Sequence, residues 1–474
     1  MDVTRLLSSP NGLVVAPAGC GKTQLIVETL KTSAVKPYLV LTHTTAGIAA
    51  LQARLIKHNV PKGNYRLATI AGWAISVILK FPTISGVNRS HLGQPNYPAF
   101  HNAAAQLFAN GHINDILVAS YSRVLIDEYQ DCSASQHRLV SALSTILPTN
   151  VFGDPMQSIF GFDKRDPLPC WSTDVILQFP VIGKLSTPWR WNNANRPELG
   201  SWILGARTAL EAGLALDISA GGPNITWIPL TGNPRNDLDT QIKYQYQLRG
   251  AIPDTETILI IGNSKVVSKR HEFARNTNGI GVVEPVDMKD ITAFFTWVGK
   301  YKPEMVLDKA LSVATDIMTG VGKANLVKRS ATIKAGKNRT PGTEIELSAV
   351  SVLIDPSSKN LLALFTKLEA VSETKVYRHS ALTLIKDSLQ ISMSSSATPI
   401  EAVINVLEKR RYSGEKRIPN RAIGSTLLLK GLEADHVIIL DSNCDTMDAK
   451  NLYVALSRGA KSISVFSRSP IIGR

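Results

Sequence analysis

Short apolar runs, each ending in a polar or glycine-containing turn, recur through the first third of the chain at 13–16, 38–42, 124–127 and 151–153. Runs of this kind predict strands buried on both faces, as a parallel sheet requires. Between them, residues 46–56 and 135–147 carry apolar positions at helical spacing. Alternation of strand and helix predicts a doubly wound α/β domain, whose functional turns lie at the carboxyl ends of the strands. A second strand series begins near Val181 and continues at 225–228, 258–261, 425–429, 437–440 and 463–466. It predicts a second α/β unit, split by a long interruption. From about 300 to 415 the chain shows helical periodicity, basic clusters and a serine-rich stretch from Ser388 to Ser396. Gly221, Gly222 and Pro223 mark a surface loop. No internal repeat of about 20 to 50 residues is visible.

Composition narrows the class. Of 474 residues, 44% are hydrophobic, enough for several packed cores, and the length favours more than one domain. No uninterrupted apolar stretch reaches transmembrane length. The apolar residues 13–18 lack the basic start of a secretion signal, and Ser8, Ser9, Pro10, Asn11 and Gly12 break that segment. The expectation is a cytoplasmic protein with no membrane partner. Cys20, Cys132, Cys170 and Cys444 lie far apart with no metal-ligand spacing, which suits reduced thiols and argues against an iron–sulfur centre. The net charge of +14 points to a polyanionic partner, since neutralised phosphates release counterions. A merely soluble basic surface is the alternative.

The strongest local signal is Ala16-Pro17-Ala18-Gly19-Cys20-Gly21-Lys22-Thr23, where a predicted strand enters a small-residue loop and Gly-Lys-Thr opens a helix. Backbone N–H groups of such a loop can encircle phosphate oxygens where no side chains block them. Lys22 then reaches the β and γ phosphates and Thr23 holds Mg²⁺. Ala16 stands where the usual pattern has its first glycine. A simple helix-capping turn is the competing reading. About a hundred residues on, Val124-Leu125-Ile126-Asp127-Glu128-Tyr129-Gln130-Asp131 delivers two acids at a strand end. Asp127 suits Mg²⁺, directly or through water, and Glu128 suits the base that deprotonates the attacking water. Taken alone, these acids could be solvent-facing polarity.

Six blocks together resemble the UvrD/Rep/PcrA superfamily 1 helicases. Besides the phosphate loop, Asp127-Glu128-Tyr129-Gln130-Asp131 and the run Gly153 to Phe162 resemble motifs II and III of that family. Thr187-Pro188-Trp189-Arg190-Trp191 resembles motif IV, Leu429 to Asp435 motif V, and Leu452 to Arg458 motif VI. The resemblance implies two RecA-like parallel-sheet P-loop domains with reduced, mainly helical insertions, and Mg²⁺ and ATP between the domains. It implies that Gln157 senses the γ-phosphate, that Arg190 and Arg458 act as arginine fingers, and that Glu433 bonds the ribose. It implies a track for single-stranded or partly duplex DNA built on Phe162, its neighbour Phe160, and His43, which replaces a stacking Phe of motif Ia. Only Thr69 survives of the family's Thr-Phe-His-Ser block. Trp189 and Trp191 flank Arg190 as packing or cation–π neighbours. The adenine-reading Gln upstream of the loop is absent, which leaves ATP against GTP open.

The expected organisation is a first RecA-like domain over 1–180 with a small insertion at about 75–120. The second domain then runs over 181–299, a reduced helical insertion over 300–415, and its C-terminal part over 416–474. Lys323, Lys328, Arg329, Lys334, Lys337, Arg339, Lys409, Arg410, Arg411, Lys416 and Arg417 supply either a phosphate-contacting surface or a solvated face. The pared-down insertions resemble the helicase-like subunits of two-gene defence systems of the Gabija type, which work beside a nuclease. The expected function is therefore an ATP-dependent single-strand translocase or helicase moving 3′ to 5′. The alternative is a nucleic-acid-regulated ATPase subunit of a nuclease or defence complex that does not unwind alone. A P-loop kinase is the remote third reading, disfavoured by the motif V and VI blocks.

Overall fold

The computed structural model describes residues 2–88, 96–161, 163–285, 288–395, 397–413 and 418–473, excluding the side chains of 411–413. Phe162, Lys416, Arg417 and the Arg411 side chain lie outside the described residues. The chain forms two compact units: Met1–Pro229 with Gly431–Val437 and Ser442–Arg474, and Leu230–Lys430 with Ile438–Asp441.

The first unit is built on β1 (Asn11–Val15), β2 (Tyr38–Thr42), β3 (Tyr65–Thr69), β4 (Val124–Ile126), β5 (Thr149–Gly153) and β6 (Val181–Lys184). Their order is β3-β2-β4-β5-β1-β6, and the neighbours run parallel. Alternation explains the unbroken apolar runs. Leu13, Leu39, Leu41, Val124, Ile126 and Val151 enter one core, while Val14, Val40, Leu125 and Phe152 enter another on the opposite face. The helices Ile70–Ile78, Tyr97–Ala109 and Ala134–Ser144 contribute to the first core; Lys22–Lys31 and Thr45–Lys57 contribute to the second.

Two expectations are corrected. The strand at Val181 does not open the second series but closes the first sheet, with Leu13 opposite Val181 and Val15 opposite Lys184. Local apolarity marks a strand but not its partner, and β6 docks on the side of β1 that β5 leaves open. Gly12 permits this approach, because a Cβ there would lie 2.5 Å from Ile182 Cγ2. Residues 425–429 are also not a strand. Ser425 Oγ accepts from Leu428 N at 3.3 Å and caps a helical turn, Thr426–Leu429, so an apolar Leu run becomes helix.

In the first unit, β7 (Leu216–Asp217) pairs antiparallel with β16 (Ile471–Ile472), and β8 (Ile225–Pro229) pairs parallel with β15 (Gly459–Ser467). In the second, β9 (Ile258–Ile261) and β10 (Gly281–Val282) flank β13 (Arg421–Gly424) in parallel, and β11 (Met318–Thr319) pairs with β12 (Lys375–Val376). β14 (Ala434–Ile439) adds a further strand. Helices from Pro303–Ile317 to Pro399–Ser413 surround a core that includes Phe294, Phe295, Leu311, Leu364, Phe365 and Leu389. The serine-rich stretch begins inside the helix His379–Ser394, where buried Ser388 donates to Leu384 O at 2.7 Å. Several of the basic residues are engaged by acids: Lys323 by Asp308, Arg329 by Glu346, Lys334 by Glu304, and Arg410 by Asp387. Lys328, Lys337 and Arg339 are exposed.

Candidate nucleotide and nucleic-acid site

Strand order brings the sequence motifs together. Because β4, β5 and β1 are neighbours, the turns after Ile126, Gly153 and Val15 emerge side by side, about 4.8 Å apart per strand. One backbone bond and one side-chain bond fasten them. Ala16 N donates to Gly153 O at 2.9 Å, and Asp154 N donates to Gln130 Oε1 at 3.2 Å.

The loop from Ala16 to Gly21 owes its shape to two glycines. Gly19 and Gly21 have φ of +69° and +89°, the left-handed region that side chains disfavour. A Cβ on Gly19 would stand 2.9 Å from Arg190 Cβ and from the Trp191 ring, and one on Gly21 would stand 3.0 Å from Trp189 Cδ1. Ala16 is buried, so the missing first glycine leaves no gap. Ala18 N donates to the Tyr453 hydroxyl at 2.9 Å, a bond that ties this loop to the helix Ala449–Leu456. Cys20 is buried, and burial, aided by Asp154, pushes its thiol up to about 11. Thr23 sits half-buried in the first turn of the helix that Gly21 opens.

Lys22 Nζ lies 3.0 Å from Asp127 Oδ1 and also pairs with the Glu128 carboxylate. Burial alone would lower the Lys22 pKa, but the two carboxylates more than offset it and raise it above the usual lysine range. Burial raises the Asp127 carboxyl, opposed by Lys22 and reinforced by Glu128. Glu128 has φ of +55°, a conformation that costs a non-glycine residue about 1–3 kcal/mol. Its side chain is held by Lys22 and by Gln130 Nε2, which donates to Oε2.

After β5, Asp154 caps the turn Pro155–Gln157. It accepts from Met156 N at 3.1 Å and from Gln157 Nε2 at 3.2 Å. The buried Arg207 guanidinium reaches Asp154 at 2.6 Å and Glu211 at 2.8 Å. Gln130, Arg207 and Tyr453 are therefore site residues that sequence reading left without a role. Gln130 and Tyr453 stand inside quoted motifs, but nothing local to Arg207 signals its function.

Arg190 closes the site from the short helix Trp189–Asn193. Its backbone N donates to Gly19 O at 3.1 Å, and its guanidinium pairs with Glu433 and donates to Ser457 O. The guanidinium carbon lies 5.4 Å from the centroid of buried Trp191, whose indole N–H donates to Gly459 O at 2.8 Å. Burial works to raise the Glu433 carboxyl, but Arg190 and then Arg458 win and hold it below the ordinary range. Arg458 is buried and donates to Val454 O, Leu432 O and Ser457 Oγ at 2.9, 3.3 and 2.8 Å. Burial and neighbouring Arg190 lower it to about 10. The structure thus gathers Lys22, Asp127, Glu128, Arg190, Glu433 and Arg458 around one loop, with Gln157 tied in through Asp154. Of the expected track, His43 and Phe160 meet with ring centroids 6.1 Å apart, both half-buried.

Residues 99–168 match the UvrD/REP helicase N-terminal domain family. Over this segment the chain resembles the UvrD/REP helicases. The UvrD-like segment carries Asp127, Glu128, Gln130, Asp154, Gln157 and Phe160, and through it the chain resembles ATP-hydrolysing helicases. It is 47% identical over 57 residues to an ATP-dependent helicase/nuclease subunit of Lacticaseibacillus casei (strain BL23), covering 12% of this chain and 5% of that protein. It is 40% identical over 67 residues to the same-named protein of Lactococcus lactis subsp. lactis (strain IL1403), covering 14% and 6%. The matched segment thus spans about a twentieth of the length of these curated relatives. Among solved structures, a complex of the Arterivirus nonstructural protein 10 (helicase) with DNA aligns over 98% of this chain and 62% of that one, at TM-score 0.31 and 9% identity. At that score the likeness carries no weight. Among the described residues, no group of three or more His, Cys, Asp or Glu side chains is placed to hold a metal, and no helix is long and apolar enough to cross a membrane. All four cysteines are free.

Proposed function

We propose that this chain is an ATP-driven motor on single-stranded nucleic acid. The observation that carries the reading is the convergence of Lys22, from the loop after β1, with Asp127 and Glu128, from the turn after β4, across the end of the intervening β5, with Arg190 bonded through its backbone to Gly19. The residues fit a Mg-nucleotide. Gly19 and Gly21 place no β-carbon over the loop, and Lys22 stands with its ammonium beside Asp127 and Glu128 in the first turn of the helix that Gly21 opens, the cation and acids that a Mg-nucleotide requires. Thr23 and Asp127 would hold Mg²⁺; Ala16, Gly19, Cys20, Gly21 and Lys22 would hold the phosphates; Glu433 would hold the ribose. The bound group supplies the phosphoanhydride to be cleaved.

The remaining chemistry belongs to the chain. Lys22 leaves its carboxylate partners for phosphate oxygens, which frees Glu128 to accept a proton from the attacking water. Arg190 and Arg458 release Glu433 and backbone carbonyls respectively, and spread the negative charge that develops in the transition state. Gln157, bonded to Asp154, relays the state of the phosphates toward Phe160, Phe162 and His43, the proposed base-stacking track. Movement is 3′ to 5′, by the family resemblance. ATPase rates with single-stranded DNA, single-stranded RNA, duplex DNA and no nucleic acid test the reading. Stimulation by single strands at low salt is the expected outcome; a rate indifferent to all of them overturns it.

A second reading rests on the names of the relatives, which are helicase/nuclease subunits. By that reading the chain is a nucleic-acid-regulated ATPase that works beside a nuclease and does not unwind alone. Strand displacement by the isolated protein separates the two.

A further inference from the structure

The second unit carries an aromatic and cationic cluster far in sequence from every motif above. After the helix Lys289–Phe295 the chain turns through Gly299, at φ of +79°, into the helix Pro303–Ile317. Trp297 and Tyr301, four residues apart, stack with centroids 4.4 Å apart and ring planes 30° from parallel. Lys309 Nζ stands 5.6 Å from the Trp297 centroid and Lys300 Nζ 5.8 Å from that of Tyr301, so each ring has an ammonium within cation–π range. Tyr301 is 39% exposed and Trp297 half-buried. The nearby acids are engaged elsewhere: Glu304 with Lys334, and Asp308 with Lys323.

This differs from a core aromatic pair in two ways. A pair that only packs the bundle would be covered by apolar side chains; Phe294 and Phe295, just upstream, are so covered. Here the rings reach the surface and lysines sit on them, each held by the ring quadrupole. Flat faces interleaved with cations are what a single strand needs, because every base has a π-face and every nucleotide a phosphate. A base that stacks on Tyr301 displaces Lys300 from the ring and offers it the adjoining phosphate. The chain's surplus of 52 basic over 38 acidic residues has the sign such a partner requires.

We infer that Trp297 and Tyr301, with Lys300 and Lys309, form a second single-stranded nucleic-acid contact, separate from the strand-end track of the first unit. The inference rests on the proposed strand-binding function and adds a site to it. The test uses the full chain and fluorescence anisotropy with labelled dT20 and rU20, alongside photocrosslinking of iodouracil-substituted oligonucleotides. Tyr301→Ala is expected to weaken binding by roughly tenfold, within the range for one lost base stack. The surface pair Lys300→Gln with Lys309→Gln, which leaves both rings in place, should flatten the log–log salt slope by about 1.4 for a single strand. Tyr301→Ala should leave that slope unchanged. ATPase activity without nucleic acid should match wild type in both variants. Crosslinks on Tyr301 or Trp297 support the site, and the oligonucleotide that binds more tightly assigns DNA or RNA. If wild type binds either strand but both variants bind equally well and no crosslink maps to 297–301, this site is wrong and the motor reading stands. If wild type binds neither strand, both fall together.

Discussion

Glu128 keeps its left-handed backbone because Lys22 and Gln130 grip its carboxylate from two sides. Glu128→Gln should therefore retain Mg-nucleotide binding and lose hydrolysis by about 10²–10⁴-fold, since an amide takes no proton from water. Phosphate release and a fluorescent-nucleotide titration measure the two halves, and hydrolysis at the wild-type rate would disprove the role. Gln130→Leu removes a brace rather than the base; the expected loss is roughly 10- to 100-fold in kcat with nucleotide affinity preserved. Thiol chemistry separates two more residues. Exposed Cys170 is drawn down to about 7, chiefly by the Ser172 hydroxyl, whereas buried Cys20 sits at about 11. At pH 7 iodoacetamide should label Cys170 first with ATPase retained, and Cys20 slowly, more slowly still with Mg-ATP. Peptide mapping that finds Cys20 modified first contradicts the burial argument. Lys22 and Glu128 were legible in the sequence because their offsets from a strand dictate where they point. Gln130, Arg207 and Tyr453 were not, because what they bond is decided by neighbours 24, 53 and 435 residues away.

Strands buried on both faces announce themselves as unbroken apolar runs, which is why β1, β2, β4 and β5 could be read from sequence. The edge strand β3 could not: in Tyr-Arg-Leu-Ala-Thr only Tyr65 is buried. The turn after β5 depends on a charge pair that no pattern reveals. Arg207→Met leaves the buried Asp154 carboxylate uncompensated and should destabilise the first unit by about 3–5 kcal/mol. Adding Asp154→Leu should recover part of that loss, as read by urea denaturation. The helix Tyr97–Ala109 carries a pH dependence of its own. His101, buried against Ser135 Oγ at 2.8 Å, is held down to about 4 by burial, against about 6.5 in the unfolded chain. Between those values the unfolded chain binds a proton that the folded one refuses. Stability is thus complete above pH 6.5 and falls as pH drops towards 4, by about 2 kcal/mol between 6.5 and 5. His101→Gln should shrink the drop in Tm between pH 7 and 5. His271, also held down to about 4 mainly by burial, will keep some of that drop in the second unit. An unchanged drop in the variant excludes His101 as its source.

At the scale of the whole molecule, the net charge of +14 should make the proposed strand binding steeply dependent on salt, with the proposed track aromatics adding a part that salt does not touch. Phe160→Ala should cost about 1–3 kcal/mol of dT20 affinity with an unaltered log–log salt slope, and displacement of a protein block should suffer more than ATPase stimulation. A change in slope would show that the ring acts through charged neighbours. The order of the motif blocks and the helical character of the interruption were visible in the sequence. The Trp297–Tyr301 stack was not, since its two rings lie on either side of a turn at Gly299 whose geometry no local pattern specifies. The bond from Ala18 N to the Tyr453 hydroxyl spans 435 residues. On a ribosome moving at about 5–20 residues per second, the loop waits roughly 20–90 s for that partner. Through that interval the nascent chain holds the Ala16–Gly21 loop without its clamp, so the proposed nucleotide site cannot be complete before residue 453 has been made.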